Sequence, residues 1–195
     1  MRPRPAFASG YTLIEILLAV SLAATMAAMA VPLASQSLDG LRASAAARHV
    51  AARIATARLD AVRRSTTIAL RFEQTGDDYT FALFVDGNGN GLRAAEVTRG
   101  IDRALSAAER LGHQFPGAAF GLLPGLPDLD GVVGSTDGVR IGASSFLSLA
   151  PNGSATSGTL YIRGRRSQYA VRVLGATGRV RVFHYDTGAR RWISR

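Results

Sequence analysis

The stretch GYTLIEILLAV, residues 10–20, opens an apolar run and carries a carboxylate, Glu15, close to its start. Residues 16–33, ILLAVSLAATMAAMAVPL, hold no charge, so the apolar segment 11–33 covers 23 positions broken only by Glu15. About 20 such residues suffice to cross a bilayer, and a run of this length without a polar stripe reads as a membrane span rather than a buried core helix. A charge near the bilayer centre costs roughly 2.5–3.5 kcal/mol on insertion scales, so the glutamate calls for a partner. Ahead of the run lies MRPRPAFASG, positive at Arg2 and Arg4. Those arginines predict a cytoplasmic N-terminus, with everything after Leu33 on the far side.

A secretory signal places its cleavage site after the apolar region, whereas here the small residue at a distinct boundary, Gly10, precedes it. Gly10, Tyr11, Thr12, Leu13 and Glu15 resemble the class III leader of type IV pilins and type II secretion pseudopilins: glycine, an aromatic, then Thr-Leu-x-Glu. Tyrosine stands at position 11 where phenylalanine is usual. The resemblance implies cleavage between Gly10 and Tyr11 by prepilin peptidase and methylation of the new amino group on Tyr11. It also gives Glu15 a role in assembly. A carboxylate one helical turn from a positive amine can pair with the amine of a neighbouring subunit, because two buried charges cost less together than apart.

Helical patterning continues beyond the apolar run. Pro32 predicts a kink, since proline removes an internal hydrogen bond and clashes with the preceding turn. Leu38, Leu41, Ala45, Ala52, Leu59 and Val62 follow an approximately helical spacing, with Arg42, Arg48, Arg53, Arg58 and Arg63 elsewhere around the wheel, which predicts an amphipathic helix to Arg64. From Thr66 the period becomes two. Strands are predicted at 66–72, 78–85, 139–142, 146–150, 159–164, 168–175, 179–185 and 190–194, where β-branched and aromatic residues lie between breakers. Short turns separate the last three and predict an antiparallel meander. Segment 86–138, rich in glycine and proline, reads as long loops with one helical candidate at 103–112.

The expected fold is therefore α+β: a long N-terminal helix, half transmembrane and half amphipathic, packed on an antiparallel β-rich head, as in type IV pilins. The expected organisation is a leader at 1–10, a transmembrane helix at 11–33, an amphipathic helix at 34–64 and a periplasmic head at 65–195. The long helix, the tract FLSLAPNGSATSGTLYI and the later GRVRV (178–182) resemble the GspH/FimT group of minor pseudopilins. That resemblance implies a tip-proximal structural subunit of a type II secretion pseudopilus or type IV pilus. It would sit as a single-pass protein in the bacterial inner membrane before assembly. The implied partners are other pseudopilins or pilins, prepilin peptidase and that membrane.

Composition narrows the alternatives. The chain of 195 residues has room for one ordinary domain and an accessory element, and it contains no cysteine, so no disulfide, thiolate metal site or cysteine nucleophile can form. All 23 basic residues are arginine against 14 acids, a net charge of +9, and the absence of lysine excludes the usual P-loop. His49, His113 and His184 are scattered, and neither G-x-S-x-G nor H-E-x-x-H occurs. Asp77 with Asp78 reads as a turn and Asp128 with Asp130 as loop, so no paired-acid site emerges. Neither an enzyme nor a cofactor is expected.

Two patterns remain as binding candidates. In DGNGNGLRAAE (86–96), Asp86, Asn88 and Asn90 match the first half of an EF-hand loop, but the twelfth position is Val97 and Glu96 falls one short. A hairpin turn is the first reading of this loop and calcium the second. The tail from Gly158 holds nine arginines against one acid, Asp186, a local balance of +8. Strand alternation sets Arg163, Arg172, Arg179 and Arg181 opposite apolar neighbours, and with Arg165, Arg190 and Arg191 they make a candidate patch for a polyanion, with Tyr185 and Trp192 for stacking. Some FimT-branch pilins bind DNA in natural transformation, and their G-R-x-R element is matched by Gly178, Arg179 and Arg181. The competing reading is a solvated sheet face.

Overall fold

The computed structural model describes residues 10–142 and 144–194, the side chains of 29–36 excepted. The remainder of the expected leader and the kink at Pro32 lie outside the described residues. The chain forms two compact units, Met1–Leu38 and Asp39–Arg195.

In the first unit, helix α1 (Leu13–Arg64) begins with a reciprocal cap. The Glu15 amide donates to Thr12 Oγ1 at 3.3 Å, while the Thr12 amide donates back to Glu15 Oε2 at 3.2 Å. Thr12-Leu13-Ile14-Glu15 is thus a capping box, satisfying donors that a helix start leaves orphaned. Farther along, the hydroxyls of Ser21 and Thr25 donate to the carbonyls of Leu18 and Leu22.

The expected membrane span is corrected by these residues. Among the described residues no helix is long and apolar enough to cross a membrane. The described stretch 13–28 carries Glu15, Ser21 and Thr25 among its apolar side chains. The half-transmembrane helix at 11–33, and with it the single-pass inner-membrane placement with a periplasmic head, is not supported.

In the second unit the rest of α1 packs on two antiparallel sheets. One contains β1 (Ile68–Thr75), β2 (Asp78–Val85), β3 (Arg103–Ala104), β4 (Glu109–Arg110) and β7 (Phe146–Leu149), in the order β3-β2-β1-β7, with β4 also paired to β2. The other contains β5 (Ala119–Phe120), β6 (Val139–Ile141), β8 (Gly158–Arg163), β9 (Gln168–Leu174), β10 (Arg179–Asp186) and β11 (Arg191–Ser194). Its order is β11-β10-β9-β8-β5, with β6 also on β8, so the last four strands form a meander. Segment 86–138, expected as loops, carries α2 (Ala94–Thr98), α3 (Leu111–Gln114) and three short strands. The helix expected at 103–112 is absent: Ala104 pairs with Phe84 and Arg110 with Thr80, and this pairing along β2 outweighs the helix propensity of an alanine-rich segment.

The helix face that packs is also different from the one expected. Ala43, Ala46, Ala47, Val50, Ile54, Ala57 and Ala61 are buried against Ile68, Leu70, Phe81, Leu147, Leu160, Ile162 and Val171. Leu41 and Leu59, expected to face the core, are each 62 % exposed. The buried face of the helix is thus built mainly of alanines, and side-chain size does not decide which face packs. A second, smaller cluster lies on the far side of the β8–β10 sheet, where Leu122, Tyr161 and Ala170 pack with Leu129, Phe183 and Trp192.

Candidate nucleic-acid interface

Cross-strand register places the tail arginines. Thr159, Arg172 and Arg181 align across β8, β9 and β10, followed by the row Tyr161, Ala170 and Phe183. Because alternate residues share a face, Arg163, Arg172, Arg179 and Arg181 belong to the face turned away from α1, while Leu160, Val171 and Val182 face the core. Strand direction then divides them. Arg172, Arg179 and Arg181 lie toward the β9–β10 turn, whereas Arg163, Arg165, Arg190 and Arg191 lie toward the opposite sheet end, beside the β8–β9 and β10–β11 turns.

The outer face is partly covered. A loop following β5 is fastened to it: the Leu123 amide donates to Gln168 Oε1 at 2.8 Å, the Leu129 amide to the Tyr161 hydroxyl at 3.1 Å, and the Trp192 indole to the carbonyls of Pro127 and Asp128. The same loop delivers two carboxylates. Buried Asp128 pairs with Arg140 and accepts the Val132 amide at 2.7 Å. Burial pushes its carboxyl up, but the amides of Val132 and Asp130 and the Arg140 guanidinium outweigh this and hold it below the usual range. Asp130 takes Arg172.

Arg172 is therefore neutralised within the fold. Trp192 and Tyr185, in edge contact at 5.3 Å, are engaged with one another, and Tyr185 is buried, so neither is a free stacking platform. At the opposite sheet end Arg163, Arg165, Arg190 and Arg191 form no salt bridge among the described residues, and the same holds for exposed Arg179 and Arg181. Gly178 ahead of them has φ +59, and an added Cβ there would collide with the Gly153 carbonyl oxygen and stand 2.6 Å from Arg58 Nε. Arg58, on α1, donates from Nε to that same carbonyl at 2.8 Å. Sequence reasoning set Arg58 aside as one of several helix arginines. Only the tertiary fold brings it to the G-R-x-R turn, and no local signal could have found it.

Other candidates take structural positions. Asp86 accepts the amides of Asn88 and Gly89 on Oδ1 and that of Gly91 on Oδ2. Asn88 Oδ1 accepts the Asn90 amide, and the Asn90 side chain donates to Glu96. The carboxylate thus closes a turn on itself, and among the described residues no group of three or more His, Asp or Glu is arranged to hold a metal. Asp39 accepts the amides of Arg165 and Arg166 at 2.7 and 3.0 Å and the Ser167 hydroxyl at 2.9 Å, which fixes the β8–β9 turn. His49 and Arg53 both reach Glu109, at 3.1 and 2.5 Å. Tyr11 is exposed, and the Oε2 of Glu15 is engaged with Thr12. Comparison with protein-family models, with curated proteins and with solved structures finds no match for this chain.

Proposed function

We propose that this chain is a minor pseudopilin of the GspH/FimT type, a structural, tip-proximal subunit of a type II secretion pseudopilus or a type IV pilus. Prepilin peptidase cleaves it between Gly10 and Tyr11, the new amino group is methylated, and Glu15 sets the register with a neighbouring subunit. Supporting this is the apolar stripe of Leu41, Ala52, Leu59 and Val62, which α1 exposes on the side away from its alanine face. Exposed apolar side chains on one helix face offer surface for protein contact, and burying one leucine is worth about 1.5–3 kcal/mol.

Glu15 supplies the discriminating experiment. Glutamine can occupy the same position of a capping box, so Glu15→Gln keeps the helix start and removes only the charge. Breaking a buried ion pair costs about 3–5 kcal/mol, so the variant should enter sheared fibres at less than about a tenth of the wild-type level in cells carrying the fibre machinery. Equal incorporation would overturn the pairing role.

A second reading is favoured by the unpaired, exposed Arg179 and Arg181: a DNA-binding minor pilin for DNA uptake in natural transformation. Salt-dependent binding to duplex DNA that is lost in the double variant Arg179→Ala, Arg181→Ala supports it, and unchanged binding removes it.

A further inference from the structure

Neighbouring segments cover the sheet edges, with one exception. Beside β7, the Thr156 amide donates to the Ser148 carbonyl at 2.8 Å and Leu149 bridges to Ala155. Beside β2 lie β3 and β4, and beside β8 lie β5 and β6, each only two or three residues long. The exception is β11 (Arg191–Ser194): beyond its pairing with β10, no hydrogen bond among the described residues reaches its backbone. Alternate residues of such a strand turn their N–H and C=O groups outward, a ready template for a further strand.

The open strand is held in place and its side chains are sorted by face. On the outer face the Trp192 indole donates to the carbonyls of Pro127 and Asp128, and its ring lies 5.3 Å from that of Tyr185 and 6.0 Å from that of Tyr161. On the other face, His184 stands opposite both Ile193 and Tyr169, and Tyr169 belongs to the core. Ile193 therefore lies at the margin of that core, 38 % exposed, and Arg191, two residues earlier, shares its face. Asp186, opposite Arg191 on β10, accepts the amides of Gly188 and Ala189 on Oδ1 and forms no salt bridge among the described residues.

We infer that β11 accepts an added antiparallel strand from another protein, with an apolar residue opposite Ile193 and, two positions later in that strand, an acid opposite Arg191. Main-chain bonds supply the affinity of such an addition and alternate side chains its specificity. Antiparallel ladders are the more stable per residue, and the β10–β11 pair that the new strand would extend is itself antiparallel. Charge selects this occupant over a second copy of the chain. Residues 187–195 hold three arginines and no acid, so self-pairing would gather like charges at the edge, whereas an acidic strand balances them. Neither the fibre reading nor the DNA reading gives β11 a partner.

The test is amide hydrogen exchange of the full chain, titrated with the synthetic peptide Thr-Val-Thr-Glu-Thr and, separately, with the same peptide carrying arginine in place of glutamate. The acidic peptide should slow exchange in β11 while leaving β8 and β9 unchanged, and it should act at a concentration about threefold lower than its basic counterpart. Arg191→Glu, a substitution at an exposed position, should reverse that order. No slowing in β11, or equal slowing by the two peptides in the wild type, would overturn the inference. An order that stays the same in Arg191→Glu would overturn the assignment of the acid to Arg191. Slowing that grows with protein concentration in the absence of peptide would put a second copy on the edge and overturn the inference as well.

Discussion

Arg172 Nη2 lies 2.8 and 2.7 Å from the two carboxylate oxygens of Asp130, a residue 42 positions earlier in the chain. The pair removes the central arginine of the tail from the charge available to an outside anion. Asp130→Asn should release it. If the outer face binds DNA, the log-log salt slope becomes steeper by about 0.9, one more phosphate contact. Because Asp130 is largely exposed, its pair contributes only about 0–1 kcal/mol, and the melting temperature should move little. An unchanged slope would show that the Arg172 row takes no part in binding.

Asp39 carries a different load. Burial pushes its carboxyl up, but the amides of Arg165 and Arg166 and the Ser167 hydroxyl outweigh burial and hold it below its usual value. Asp39→Ala leaves these donors without their charged acceptor, a loss of about 2 kcal/mol and a melting temperature lower by roughly 4–8 °C at neutral pH. The sign of the pH effect follows from the lowered carboxyl. The stabilisation is fully present above the unfolded value near 4 and is lost as pH falls through the folded value. Thermal melts from pH 7 to 3 should therefore show wild type and variant converging only below about pH 4, and convergence at neutral pH would contradict this role.

Gly178 and Gly76 separate backbone conformation from packing. Both have positive φ, +59 and +63, but a Cβ on Gly76 meets nothing within 4 Å, whereas one on Gly178 meets Arg58 and Gly153. Gly76→Ala should cost about 1 kcal/mol, the strain of a left-handed alanine, and Gly178→Ala roughly 2–4 kcal/mol because the turn must also move off Arg58. Denaturant midpoints compare the two directly. Equal losses would mean that the close approach at Gly178 can open freely.

The strands were legible because apolar and polar residues alternate in segments such as QYAVRVL, where Tyr169, Val171 and Val173 face the core. The helix face was misread for a physical reason. Leu41 and Leu59 dominate any apolar pattern by size, yet Ala43, Ala46, Ala47 and Ala57 are the residues that are buried. The membrane span was read from the absence of charge between residues 16 and 33, whereas among the described residues no helix is long and apolar enough to cross a membrane. Of the candidate surface, the sequence showed the arginines but not which of them pair with carboxylates. Asp130 lies in a segment without periodicity, and its meeting with Arg172, like the approach of Arg58 to Gly178, depends on long-range packing that no local pattern encodes.

The central claim, that this chain is a prepilin-type fibre subunit, is met most directly at its N-terminus. The full chain is produced together with a prepilin peptidase, and the mass of the product and of its N-terminal peptide is measured. The account predicts a chain that begins at Tyr11, heavier by one methyl group on the amine, and no shortening when Gly10 is replaced by a bulky residue. A product that still begins at Met1, or one cut after the apolar run, would contradict it.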